Sequence, residues 1–172
     1  MKKQTLFILA ILFCITARSF GQKLEENKVD DFTKSGIKRT SWESLYSTIS
    51  SGNAHFRFSL VNDSETFDFR LMRDMVFSID KDMQIMFKLD NGEIVTLNNL
   101  EYTVTCNGCG ATGFVGSQAE GIDVRYPISK EQVAKLKAGK IVKVRVYTGD
   151  GYIDQDIKDK NAEKVTASLN LL

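Results

Sequence analysis

Two cysteines separated by two residues, in the run Cys106-Asn107-Gly108-Cys109-Gly110, are the side chains best spaced for chemistry. A Cys-x-x-Cys pair admits three uses beyond idle thiols in a loop. In an oxidising compartment the default is a small-loop disulfide across the Asn-Gly turn. Thioredoxin-like redox work needs the pair at a helix N-terminus after a strand, where the helix dipole lowers a thiol pKa. The glycines that follow give no helical pattern. A structural zinc needs four ligands, and His55 is the only histidine. Metal at this pair therefore requires a dimer sharing two pairs, or borrowed carboxylates. A second group, Asp150, Asp154 and Asp156, crowds a glycine-bounded turn, and calcium favours several carboxylate oxygens on such a turn. The spacing is not that of an EF-hand. Asp150 reads as a turn residue and Asp156 as the N-cap of a final helix. His55 opens a strand with no acid or nucleophile beside it in sequence, and no phosphate-loop, nucleophile-elbow or zincin motif is present. No cofactor is implied.

The elements that position these residues follow from periodicity. Phe56, Phe58 and Leu60 alternate with Arg57 and Ser59. After a turn at Asn62-Asp63-Ser64, Phe67, Phe69 and Leu71 alternate with Asp68 and Arg70. This predicts a hairpin with an aromatic inner face. Met75, Phe77 and Ile79 continue the alternation. Met83, Ile85, Phe87 and Leu89 run into Asp90-Asn91-Gly92, the signature of a type I′ hairpin, with Val95 and Leu97 returning. Tyr102 and Val104 mark a further strand. Ile122, Val124 and Tyr126 resume the pattern until Pro127 stops it. Ser129 and Gln132 form a capping box for a short helix carrying Val133 and Leu136, with Gly139 as its C′ residue. The stretch Ile141 to Leu172 reads as strand, Gly149-Asp150-Gly151 turn, strand and helix, with Ile157, Val165, Leu169 and Leu172 on one helical stripe. Ile37 to Ile49 fits either a short helix opened by Thr40 and Glu43 or an edge strand. Trp42 within it is expected to anchor the segment on the core. Close-spaced strands and tight turns define an α+β class, predominantly antiparallel β as a sheet or sandwich. A short helix near 129–138 and a C-terminal helix near 156–170 complete it.

Residues 1–21 have the form of a signal peptide: Lys2 and Lys3, the apolar run Leu6 to Ile15, then Ser19-Phe20-Gly21. The run is too short to span a bilayer comfortably, so no stable membrane span is expected after cleavage. Phe13 before Cys14 argues against a lipoprotein. Residues 22–36 read as a polar N-terminal arm, and 37–172 as a single β-rich domain. Removing Lys2, Lys3 and Arg18 from 23 basic residues leaves 20 against 22 acidic ones. These charges are interleaved, which argues against a nucleic-acid partner.

The runs Asp30-Asp31-Phe32-Thr33 and Arg39-Thr40-Ser41-Trp42-Glu43, with Val144 through Asp154 and Asn161-Ala162-Glu163-Lys164, resemble a group of small, functionally uncharacterised exported proteins of the Bacteroidetes. The resemblance implies an exported location, periplasmic or secreted, and carries no catalytic residue. With no catalytic motif, the expectation is a non-enzymatic domain that binds an unidentified protein or envelope component. The glycine-rich loop, with Asn107, Gly108, Gly110, Gly113, Phe114 and Gly116, is its expected contact surface. The alternative is a redox- or metal-dependent protein using Cys106 and Cys109.

Overall fold

The computed structural model describes residues 22–107 and 120–172. Among them lie thirteen strands and two helices, and every strand pair is antiparallel. The α+β class is thus as the sequence predicts. The larger sheet contains β1 (Leu24–Val29), β2 (Gly36–Thr40), β3 (Glu43–Thr48), β4 (Gly52–Val61), β5 (Ser64–Arg73), β10 (Cys106–Asn107) and β11 (Glu120–Pro127). Its order is β1-β2-β4-β5-β11-β10, with β3 also paired to β4. The smaller sheet runs β13 (Gly151–Asp156), β12 (Ile141–Thr148), β7 (Gln84–Leu89), β8 (Ile94–Asn98), and β6 (Ser78–Ile79) pairs separately with β9 (Thr103–Val104).

The alternation that predicts the central hairpin also builds the core. Phe56 faces Phe69 and Phe58 faces Phe67 across β4 and β5, and all four are fully buried. Phe67 meets Phe87 of the smaller sheet edge to face at 5.2 Å, joining the two sheets in one apolar cluster. Helix α1 (Lys130–Ala138) starts at the predicted capping box: Ser129 Oγ accepts from the Gln132 amide, and Gln132 Oε1 accepts from the Ser129 amide. Gln132 Nε2 also donates to the Thr96 carbonyl at 2.7 Å, which ties α1 to β8. Helix α2 (Asp159–Leu169) buries Ala162, Val165 and Leu169, and Asn161 Nδ2 donates to the Leu45 carbonyl at 3.0 Å.

Several local expectations change. The segment expected as a polar arm contains β1, an edge strand on β2 whose Glu25, Glu26 and Lys28 keep it wet; its polarity reflects two-sided exposure rather than lack of structure. Of the two readings open for Ile37 to Ile49 the strand holds, as β2 and β3: both pair with β4, and that tertiary pairing outweighs the local capping signal. The Asn91-Gly92 turn is not type I′. Leu89 bonds Glu93 across a three-residue loop, and of Asn91 and Gly92 only Gly92 has positive φ, at 88°. Gly139 is extended rather than left-handed; it is needed because a Cβ there would stand 2.9 Å from Leu89 Cδ1. Asp156 is the last residue of β13 and does not cap α2, whose N-cap is Lys158 without a side-chain bond. Finally, of Tyr102 and Val104, expected to mark one strand, only Val104 lies in β9, and both are exposed while Thr105 between β9 and β10 is buried.

A charged cleft on the outer face of the larger sheet

The outward residues of β4, β5 and β11 form matched rows. Arg57 faces Asp68, and Asp68 faces Arg125; one row on, His55 faces Arg70, and Arg70 faces Asp123. Asp68 is only 4% exposed at its side chain, although it lies on the face away from the core. It accepts hydrogen bonds from Arg57 Nε at 2.9 Å, Ser59 Oγ at 2.7 Å and Thr66 Oγ1 at 2.8 Å. Arg125 Nε stands 3.8 Å away, on a side chain that is 68% exposed. A buried carboxylate with this many donors is fixed in place. Arg70 and Asp123 form a bidentate pair at 2.7 and 2.8 Å, and the Asp123 hydrogen bond raises the Arg70 pKa further.

The cover over this network is Trp42. The link from β2 to β3 steps off β4 at Ser41-Trp42, and the buried Thr40 hydroxyl accepts from the Phe58 amide at 3.0 Å to close the ladder there. Trp42 therefore does not anchor on the core as expected. It lies outside the sheet, with the Arg57 and Arg70 guanidinium groups 4.6 and 4.1 Å from its ring centre. Beside it opens a cleft of about 410 Å³, floored by Thr66 and Asp68 and bounded by β11 from Asp123 to Pro127. Its far wall is the segment Asn99 to Thr103. That wall is pinned by buried Asn99, whose side-chain amide donates to the carbonyls of Ile79, Asp80 and Glu101. Leu100 remains 58% exposed at its rim.

The residues singled out in the sequence are dispersed. Cys106 and Asn107 form β10, opposite Gly121 and Glu120. Cys109, Gly108, Gly110, Gly113, Phe114 and Gly116 lie outside the described residues. The three aspartates do not converge. Asp150 accepts from Thr148 Oγ1 at 2.8 Å and reaches Arg73 at 3.4 Å. Asp154 pairs with Arg145, and Asp156 with Lys143. Among the described residues no group of three His, Cys, Asp or Glu side chains is placed to hold a metal ion. His55 lies on the outer face of β4, with a buried Nδ1 lacking a hydrogen-bond partner among the described residues. Burial, aided by the cations Arg70 and Lys164, lowers its pKa against the pull of Glu43.

Sequence reasoning did not find the cleft, although the outward positions of the predicted hairpin already show Arg57, Asp68 and Arg70. What it lacked was strand order: β11 lies beside β5 across nearly fifty intervening residues. Chemically the cluster concentrates charge: Ser59 and Thr66 both donate to the Asp68 carboxylate, flanked by Arg57 and Arg125. Among the described residues no helix is long and apolar enough to cross a membrane. In comparisons with known proteins, the chain matches no family model, no curated protein and no solved structure.

Proposed function

We propose that this chain is a non-enzymatic binding domain, exported to the periplasm or beyond, that holds a protein or envelope component in the cleft beside Trp42. The observation that carries this reading is the preorganised polar floor. Asp68, Ser59, Thr66 and Arg57 satisfy one another, while Arg125 at the mouth has one long ion-pair contact among the described residues and most of its surface in water. A rigid, satisfied floor with an unsaturated cation at its rim is a recognition surface. Export is supported by the charged, apolar and small-residue pattern of residues 1–21 and by the resemblance to exported Bacteroidetes proteins. In the same reading the two sheets form a sandwich, Cys106 and Cys109 close a structural disulfide at the base of the glycine-rich loop, and nucleic acid is not a partner.

The test uses mature protein purified from an exporting host, its N-terminus and disulfide read by intact mass. Wild type and Arg125→Glu are compared as baits against envelope extract. Arg125 is exposed, so the reversal leaves the fold intact; the expected outcome is a partner retained by wild type and lost by the variant. Identical partner sets would remove the cleft from the proposal.

A further inference from the structure

We propose that the outward edge of β11, from Asp123 to Pro127, is a strand-addition site that takes an extended polypeptide segment of a partner into the cleft. This rests on the binding-domain reading and adds to it the partner's chemistry: main chain in the β conformation, with an acidic side chain opposite Arg125.

The argument starts from hydrogen-bond phase. In an antiparallel ladder, residues alternate between bonding one neighbour strand and pointing their amide and carbonyl the other way. Val61 and Ser64 flank the two-residue turn joining β4 to β5, so the even residues of β5 bond β4 and its odd residues bond β11. The bond from the Ile128 amide to the Glu65 carbonyl at 3.1 Å gives the same phase independently. Ile122, Val124 and Tyr126 of β11 therefore bond β5. Gly121, Asp123, Arg125 and Pro127 turn their main-chain groups to the opposite side. Gly121 is met there by Cys106 of β10. The preceding Thr105 turns its amide the other way, to the Phe77 carbonyl, and the pairing of β10 with β11 covers Cys106 and Asn107 alone. Beyond that point no strand among the described residues pairs with β11. The amides and carbonyls of Asp123 and Arg125 and the carbonyl of Pro127 form a row at two-residue spacing, the repeat that an extended chain matches.

The edge opens onto the cleft rather than onto bulk water, since Asp123, Val124, Arg125 and Pro127 bound it. Exposed edges are usually blunted by charge and proline, and Asp123, Arg125 and Pro127 would serve that end on a flat surface. Here Asn99, Leu100, Glu101 and Thr103 line the other side of the same cleft, so the edge does not face a flat open surface. Side chains set the preference. A residue added opposite Arg125 shares its outer face, where the one ion pair of the guanidinium among the described residues is a 3.8 Å contact to Asp68, so an acidic residue fits. Asp123 is already committed to Arg70 and asks for nothing.

Amide hydrogen exchange of the mature protein is the first measurement. The amides of Val124 and Tyr126 are expected to be slow and those of Asp123 and Arg125 fast. If Asp123 and Arg125 are already slow in the free protein, the edge is covered by its own chain and the proposal fails. The second uses an immobilised array of random heptapeptides as probe. Binders enriched in acidic residues that slow the Asp123 and Arg125 amides by ~tenfold or more support it. Methylation of alternate peptide nitrogens should then abolish binding in one phase only. Arg125→Pro removes an outward amide that no described strand pairs with, which an edge strand tolerates; it should abolish peptide binding. Arg125→Ala keeps the amide and should weaken binding several-fold, which covers the case where the proline variant does not fold. Peptides that bind the cleft while leaving both amides fast would overturn strand addition and keep the binding domain. An array without binders, with the partner of the Arg125→Glu comparison still lost, would do the same. Loss of both signals would remove both readings.

Discussion

The outer faces of the two sheets carry the same chemistry in different surroundings. On the larger sheet Arg57 meets Asp68 under Trp42, and the side chains are 18% and 4% exposed. On the smaller sheet Arg145 meets Asp154 with its guanidinium 4.1 Å from the Tyr152 ring centre, and the exposures are 37% and 33%. Pair geometry favours the second site, which is bidentate with both contacts at 2.6 Å. Burial favours the first, where two hydroxyls complete the carboxylate's shell. The covering link at Ser41-Trp42 makes the difference, and it exists because two strands share β4. If dielectric outweighs geometry, the first pair is structural and the second is surface decoration.

The most severe test of that contrast is Asp68→Ala. It leaves Arg57 with only the 3.6 Å contact to Glu25 among the described carboxylates and two hydroxyls without their acceptor, and should cost about 3 kcal/mol in urea unfolding. A loss below about 1 kcal/mol would mean that water reaches the site and that the two faces are alike. Trp42→Ala uncovers the same network and removes contacts to two guanidinium groups. About 2 kcal/mol is expected, together with a smaller Arg57–Asp68 coupling in a double-mutant cycle. Unchanged coupling would take the covering role away from Trp42.

The sequence discloses the inner face better than the outer one, for a physical reason. Burial of Phe56, Phe58, Phe67 and Phe69 needs only apolar residues at every second position, a local pattern that survives any strand order. The Asp68 network needs Arg57 from one neighbour and Arg125 from another, and that adjacency is a long-range fact. Local signals decided correctly where nothing competed, as at the Ser129-Gln132 capping box. Where two local readings compete, pairing decides: Thr40 and Glu43 carry a capping signature, yet both residues are in strands because β4 offers two partners. Trp42 was misplaced because large aromatics usually fill cores, whereas here two arginines on the outer face hold it. The cysteine pair had a legible motif, but a motif of two residues fixes neither redox state nor ligand set.

A gentler probe lies one row from Asp68. His55 has its pKa lowered by burial first and by Arg70 and Lys164 second, so the folded chain keeps it neutral below the pH at which the unfolded chain protonates it. Between those two pKa values the unfolded state binds more protons, so stability falls as pH drops below ~6.5. His55→Gln should flatten that part of the profile, read as melting midpoints between about pH 7.5 and about pH 5.5. Identical slopes would mean that the outer face admits the protonated ring, and the row containing Arg70 would then resemble the smaller sheet more than its neighbour.

The smallest effect belongs to Asp154. Its carboxyl is held below the usual range chiefly by the Arg145 hydrogen bond, so any stability it gives is present above the unfolded carboxylate pKa and is lost as pH falls through the folded value. Solvent screens a pair exposed on both sides, and ordering two side chains offsets what attraction remains. Asp154→Ala should leave the neutral-pH melting midpoint within experimental scatter, and the Arg145–Asp154 coupling should vanish in high salt. The coupling between Arg57 and Asp68 should persist there, since side chains only 18% and 4% exposed are screened much less than a pair on the surface. Equal salt sensitivity of the two couplings would refute the primacy of burial, because the better-aligned pair would then contribute as much as the buried one.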